Sequence, residues 1–435
     1  MSGGLRRFKL SEFDGITTLS MVLLFFSLTI KQKEFYGGAT LPFYSYGLVF
    51  SVILLVCKVA LFERWKLPLK SLLSANNYPF CMLLVLLMGS ALFSSEQNSR
   101  AIKDGLYFLT WVLLVIPLLT SLRVQTYDPT SDIDYQILAK SVVITGIISA
   151  FISVIIFFDI FEVSLGGIVF EQSIYLAFRL HGVQGESTAL AALLGVAFIF
   201  LQYTRVEIRF LKRIVGVILL GTLLFTASRN AILSLFCVYI ARLFFDFFDR
   251  RTVFSSFLIV QVFFVLAVAA LYLTPLYDVI VTMFFDRPDL DLSNKFSRPY
   301  IWLTTLEFLK TIDFSEALFG VGYGALRSRL SAGFNTPLEV LHDFGVISFL
   351  LLLVWVSASV LIGVERYRKT RWKNYRLGVD LIVFGFVFCN FMSYIPTPFF
   401  NFAPAALIMG CLVVAKLPAG RVVGAQSDAL GAGRV

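Results

Sequence analysis

Residues 344–376 read FGVISFLLLLVWVSASVLIGVERYRKTRWKNYR, and this run decides the fold class. Its first twenty residues carry no charged side chain, which is enough to cross the ~30 Å hydrocarbon core of a bilayer as a helix. The residues that follow hold Arg366, Arg368, Lys369, Arg371, Lys373 and Arg376 against one carboxylate, Glu365. Basic residues beside a span end are retained in the cytoplasm. The stretch therefore specifies both a membrane helix and its direction.

Working outward, the rest of the chain has the same character. Of 435 residues, 58 % are apolar and 46 are Phe, and the mean hydropathy is +0.83. Soluble domains run at about 45–50 % apolar, so a soluble globular fold is excluded. Mostly apolar windows of roughly twenty residues fall at 15–31, 41–62, 79–94, 105–122, 137–160, 187–204, 211–228, 230–248, 253–273, 344–363, 377–394 and 398–415. No small-residue cleavage site follows the first, which reads as a retained helix rather than a removed signal peptide. The expectation is an all-α integral membrane protein with about twelve transmembrane helices. Cys57, Cys81, Cys237, Cys389 and Cys411 lie in apolar windows without a Cys-x-x-Cys pair, which argues against a metal site or a disulfide framework. No soluble domain and no internal repeat stands out, whereas an inverted repeat would have favoured a transporter.

An even number of spans puts both termini on one side. With that side cytoplasmic, 23 of the 37 Lys and Arg residues fall on inner segments, 12 on outer segments, and Lys58 and Lys140 within spans. The net charge of +9 is then mostly a topology signal, and no nucleic-acid partner is implied. One transmembrane domain is expected over 1–416, followed by a small-residue cytoplasmic tail at 417–435 that reads as disordered. Two outer segments are too polar and broken to cross the bilayer. The first covers about 161–186. The second is a large loop, about 274–343, between the ninth and tenth spans, with amphipathic helices in it.

The large loop concentrates the residues able to do chemistry. Arg298 opens an aromatic run through Tyr300, Ile301, Trp302, Leu306, Phe308 and Leu309. Gly320, Gly322 and Gly324 form a Gly-Val-Gly-Tyr-Gly turn, and Asn335, Glu339, His342 and Asp343 make a polar patch before the next apolar helix. The glycine run lacks the Lys-Ser/Thr of a phosphate-binding loop, and no strand precedes it. Arg179, in Arg-Leu-His-Gly-Val-Gln-Gly-Glu-Ser, reads either as a phosphate-gripping guanidinium or as an interfacial residue reaching headgroups. Arg229, in Thr-Ala-Ser-Arg-Asn between two apolar runs, reads either as a cavity-facing charge or as part of a turn at the outer surface. Arg287 stands with Asp289, Asp291 and Lys295 in a mixed-charge cluster that also reads as a solvated face. His181 and His342 read either as bases or as hydrogen-bonded structure.

The order of these parts resembles the bacterial O-antigen ligase and O-antigen polymerase superfamily of multi-span glycosyltransferases. The matching residues are Arg179-x-x-Gly182, Thr226-x-Ser228-Arg229, Arg298-x-x-x-Trp302, Leu318-Phe-Gly-Val-Gly-Tyr-Gly324 and Asn335-x-x-Leu338-Glu339 with Gly345 beyond. They cover roughly 175–350. The resemblance implies a metal-independent, inverting transfer without a cofactor, on the periplasmic face of the bacterial inner membrane. The donor would be an oligosaccharide on undecaprenyl diphosphate. Arg179 and Arg298 would bind the diphosphate, with Arg229 and Arg287 assisting, since the leaving group gains negative charge as the glycosidic bond breaks. Besides the lipid-linked oligosaccharide and membrane lipids, the resemblance admits a chain-length regulator as a partner.

One departure separates the two activities of that family. Its ligases carry a His-Asn pair where this chain has Phe334-Asn335, and a phenyl ring cannot accept a proton. The base is then Glu339, His342 or His181, or none is needed. The expectation is a polymerase of O-antigen or exopolysaccharide, joining repeat units still on the lipid carrier. The alternative is an O-antigen ligase acting on a lipid A core, as in lipopolysaccharide biosynthesis. A flippase for lipid-linked oligosaccharide is the reading from another class, with Lys58, Lys140 and Asp380 as the ionisable residues that its path would need.

Overall fold

The computed structural model describes residues 18–19, 21–23, 25, 135–157, 187–205, 208–247, 298–322, 325–330, 335–390 and 402–416. All regular structure among them is helical. The elements are α1 (Gln136–Phe157), α2 (Ser187–Tyr203), α3 (Arg209–Phe225), α4 (Arg229–Phe247), α5 (Arg298–Thr311), α6 (Phe314–Phe319), α7 (Ala325–Leu330), α8 (Thr336–Thr370), α9 (Lys373–Cys389) and α10 (Phe402–Lys416). Two of them, α1 and α8, are long and apolar enough to cross a membrane, and α2 and part of α10 are shorter apolar helices.

Helix α2 is the centre of the bundle and packs against α1, α3, α4, α9 and α10. Its small residues explain why. A Cβ on Gly195 would come within 2.5 Å of the Phe384 ring, and Ala197 sits where a Cβ on Gly146 of α1 would meet it at 2.6 Å. The same device joins α9 to α10, where a Cβ on Gly410 would lie 2.6 Å from the Gly378 carbonyl oxygen. Small side chains let helix backbones approach closely where burial of apolar area gives no drive, as inside lipid.

The outer faces are as apolar as the core. Helix α8 buries Leu352, Trp355, Val356 and Gly363, yet it exposes Val346, Leu350, Val354 and Leu361 on its other side. Helix α3 buries only Leu219, Thr222 and Leu223 and exposes Phe210, Leu211, Ile214, Val217, Ile218, Leu224 and Phe225. Beyond the basic start of α3 (Arg209, Lys212, Arg213) and between the charged ends of α8, both helices are apolar on their buried and exposed sides alike, as suits a large core or a membrane.

The helix ends gather at two opposite ends of the bundle. At one end Tyr135 Oη and Gln136 Nε2 at the start of α1 donate to the Tyr203 carbonyl that closes α2, at 3.2 and 3.1 Å. Lys212 Nζ of α3 reaches the carbonyls of Gln202 and Thr204 at 2.8 and 3.1 Å. Phe245 near the end of α4 meets Tyr367 edge to face, and Arg366 Nη1 donates to the Val414 carbonyl of α10 at 3.3 Å. The other end collects the start of α2, the Thr226-Ala227-Ser228 turn between α3 and α4, the start of α8 and the end of α9. There the Thr336 side chain is hydrogen-bonded to Cys389.

Helices α1 to α4, α9 and α10 coincide with expected apolar windows, but two expectations need correction. The polar patch Asn335–Asp343 was expected to be loop with the span starting at 344, whereas α8 begins at Thr336. Asn335 Oδ1 accepts the Leu338 N–H at 3.0 Å, so the asparagine caps the helix, and Pro337 fits a first turn where no N–H is needed. Helix α5, expected to be amphipathic, buries Ile301 and Thr305 but leaves Leu303 54 % and Leu306 44 % exposed, so its apolar residues do not share one face. The expected spans 41–62, 79–94, 105–122 and 253–273, and the tail 417–435, lie outside the described residues.

Candidate functional site

Helix α8 is really two helices, broken at Gly345, which takes φ 78° and ψ 176°. Facing it is Gly320, the C-cap of α6, at φ 90° and ψ 163°. Both conformations lie where only glycine is at ease. The two backbones also touch. A Cβ on Gly320 would sit 2.2 Å from the Asp343 carbonyl oxygen, and a Cβ on Gly345 would sit 2.2 Å from the Leu318 carbonyl oxygen and 2.6 Å from Gly320 N. Around the break, the Val321 and Gly322 N–H groups donate to the carbonyls of His342 and Asp343 at 3.1 and 3.0 Å. The glycine turn and the head of α8 form one clasp.

The clasp holds Glu339, His342 and Asp343, all fully buried. Their spacing of three and four puts them on one face of the helix. Glu339 stands in the first turn of α8, where the helix dipole favours a carboxylate. His342 Nδ1 lies 2.8 Å from Asp343 Oδ1, and the same oxygen accepts the Leu326 N–H of α7 at 2.9 Å. A carboxylate oxygen only accepts, so the hydrogen in the first bond belongs to Nδ1, and in the neutral imidazole the lone pair is then on Nε2. Among the described residues Nε2 is buried with no hydrogen-bond partner. An imidazole oriented by a carboxylate, with its far nitrogen uncommitted, is an arrangement that can take a proton.

The other expected site residues are distributed as follows. Arg229 heads α4, half-buried, at the same end of the bundle as the clasp. Arg298 is the first residue of α5, which packs on α8; its side chain lies outside the described residues. Arg179, His181, Arg287 and Phe334 lie outside them as well. The structure thus brings together Glu339 and His342 and adds Asp343, which the sequence reading named in the patch without a role.

A second ionic cluster was missed from the sequence. At the opposite end of the bundle, Arg242 of α4 forms an ion pair with Asp380 of α9, with Nη2 to Oδ2 at 2.6 Å and Nε to Oδ2 at 2.8 Å. Tyr203 Oη of α2 donates to the same oxygen at 2.5 Å. The guanidinium also bonds Gln202 Oε1 and stands over the Tyr203 and Tyr239 rings at 5.6 and 5.5 Å. The signal was present: two opposite charges, each inside an apolar window, are expected to find each other.

No protein-family model matches the chain, and no curated protein matches it at significant similarity.

Proposed function

We propose that the protein is a polysaccharide polymerase, an inverting glycosyltransferase of the bacterial inner membrane. It moves a glycan from undecaprenyl diphosphate onto a lipid-linked repeat unit at the periplasmic face. The observation that carries this reading is His342, oriented by Asp343 with Nε2 uncommitted, in the clasp formed by the motifs of the family resemblance. In the proposed step the acceptor hydroxyl oxygen attacks the anomeric carbon as its bond to the diphosphate breaks. The electron pair leaves with undecaprenyl diphosphate, and the hydroxyl proton passes to His342 Nε2. Arg179 and Arg298 hold the diphosphate, and Arg229 and Arg287 assist. Because His342 is fully buried, an acceptor reaches it only after the covering residues move aside. Glu339 is the alternative base.

A second reading, a flippase for the same lipid-linked oligosaccharide, is favoured by one observation: the ion pair Arg242–Asp380 buried between helices. Ionisable residues inside a membrane bundle commonly line a transport path.

The test uses purified protein with a lipid-diphosphate repeat unit as sole substrate, read by gel ladder. Polymerase predicts a ladder of multiples with release of undecaprenyl diphosphate, lost in Arg179→Ala and Arg298→Ala. His342→Gln should lower the rate by about a hundredfold or more, the usual worth of a positioned base. Transfer only after a lipid A core is added would make it a ligase. Absence of transfer, with substrate crossing the bilayer in proteoliposomes, would favour the flippase.

A further inference from the structure

Helices α1, α2 and α3 enclose an open cavity of about 430 Å³ at the end of the bundle opposite the clasp. Three cations line it, one from each side: Lys140 of α1, Arg205 after α2 and Lys212 of α3. Among the described residues lining it there is no carboxylate. Lys140 and Arg205 are exposed. Lys212 uses two of its three donors on the carbonyls that close α2, so one N–H remains to be spent.

The remaining wall is apolar and does not stop at the cavity. Lys140, Ile144, Ile148 and Phe151 follow one another at helical spacing along α1. Their apolar members are 39, 37 and 67 % exposed. Leu211 and Val215 continue the wall on α3. A cluster of positive charge at the mouth and an uncovered apolar track of several turns below it match a ligand with an anionic head and long hydrocarbon tails. A free phosphate would have no use for the track, and a zwitterionic lipid would bring its own cation to the mouth.

We propose that this groove binds an anionic glycerophospholipid, with its phosphate among Lys140, Arg205 and Lys212 and its acyl chains along Ile144, Ile148 and Leu211. Basic pockets between membrane helices recognise anionic headgroups in this way. The proposal requires that the bundle sit in a bilayer. It is independent of glycosyl transfer, so either can fail alone.

The experiment is native mass spectrometry of the full-length protein in neutral detergent, titrated with dioleoyl phosphatidylglycerol or dioleoyl phosphatidylcholine. Phosphatidylglycerol should be retained selectively. Lys140→Gln/Arg205→Gln should weaken it by about fivefold per charge, or about thirtyfold together. Arg368→Gln/Lys369→Gln removes the same charge from exposed positions at the end of α8, outside the groove lining, and should leave retention unchanged. Leu211→Glu, which puts a carboxylate at the groove, should weaken retention independently of the first pair. Equal retention of the two lipids, an equal loss in the control pair, or displacement by millimolar inorganic phosphate would each overturn the proposal.

Discussion

The two ends of this bundle each hold a buried carboxylate with a nitrogen base, and they are built in different ways. At one end Asp380 Oδ2 gathers a guanidinium and a phenol from two other helices. At the other, Asp343 Oδ1 takes its donors from the adjacent residue, His342, and from the Leu326 backbone seventeen positions away. The first joins α2, α4 and α9 through one oxygen, Asp380 Oδ2, while Asp380 Oδ1 is buried without a hydrogen-bond partner among the described residues. The second is local and leaves His342 Nε2 without a partner among the described residues. One arrangement ties helices together, while the other positions a nitrogen and leaves it open.

That contrast can be broken most directly at Asp380. Asp380→Ala strands a buried guanidinium, and loss of one member of such a pair costs about 3–5 kcal/mol. Thermal unfolding in detergent should show it, and Arg242→Leu/Asp380→Leu should recover most of the loss. A double variant as unstable as the single one would remove the pair from the account of stability.

Next in size is the clasp. Gly345→Ala forces a left-handed residue, at about 1–3 kcal/mol, and drives its Cβ against the Leu318 carbonyl oxygen. The loop bearing the glycine turn should become accessible to protease and the ladder assay should fall silent. Gly221→Ala is the control, since a Cβ there meets nothing within 4 Å; it should be neutral or stabilising, as alanine is in a helix interior.

The remaining two changes compare the clusters at the level of a single hydrogen bond. Tyr203→Phe removes a donor to a charged group, at about 1.5–3 kcal/mol, and should lower the unfolding midpoint while leaving transfer intact. His342→Gln should have the smallest effect on unfolding, about 0.5–1.5 kcal/mol, because a glutamine amide, unlike the phenyl ring of Tyr203→Phe, still has N–H donors to offer the carboxylate. Its effect on transfer should nonetheless be the larger of the two. If both variants changed unfolding and transfer in proportion, the division into a structural end and a chemical end would fall.

The helices were legible because apolar windows are long and local. α2 at Ser187–Tyr203 and α4 at Arg229–Phe247 fall within a residue of where hydropathy puts them. The start of α8 was not, because Glu339, His342 and Asp343 read as a polar loop when counted by hydropathy. The helical information lay instead in the Asn335 cap and the spacing of three and four. The turn at Gly320 and Gly322 was legible as a turn. Its partner across the clasp was not, since nothing in a sequence says that Gly345 touches Leu318. The pairing of Arg242 with Asp380 was hidden for the same reason, since each charge lies inside its own apolar window and nothing in a sequence says which windows pack together. Much of the candidate site as first drawn (Arg179, His181, Arg287) lies outside the described residues.

The separation of Arg242 from Asp380 by 138 positions has a further consequence for how the chain is made. In a protein inserted from its N-terminus, α4 is synthesised well before the carboxylate that will neutralise its guanidinium. At a ribosomal rate of roughly 5–20 residues per second, Arg242 waits about 7–28 seconds for Asp380, 138 positions on. During that interval it must keep its head among waters or lipid phosphates. In that order of synthesis the guanidinium meets its carboxylate only once α9 has been made, so the ion cluster that joins α2, α4 and α9 is completed after α1, α2 and α3 are all available to pack.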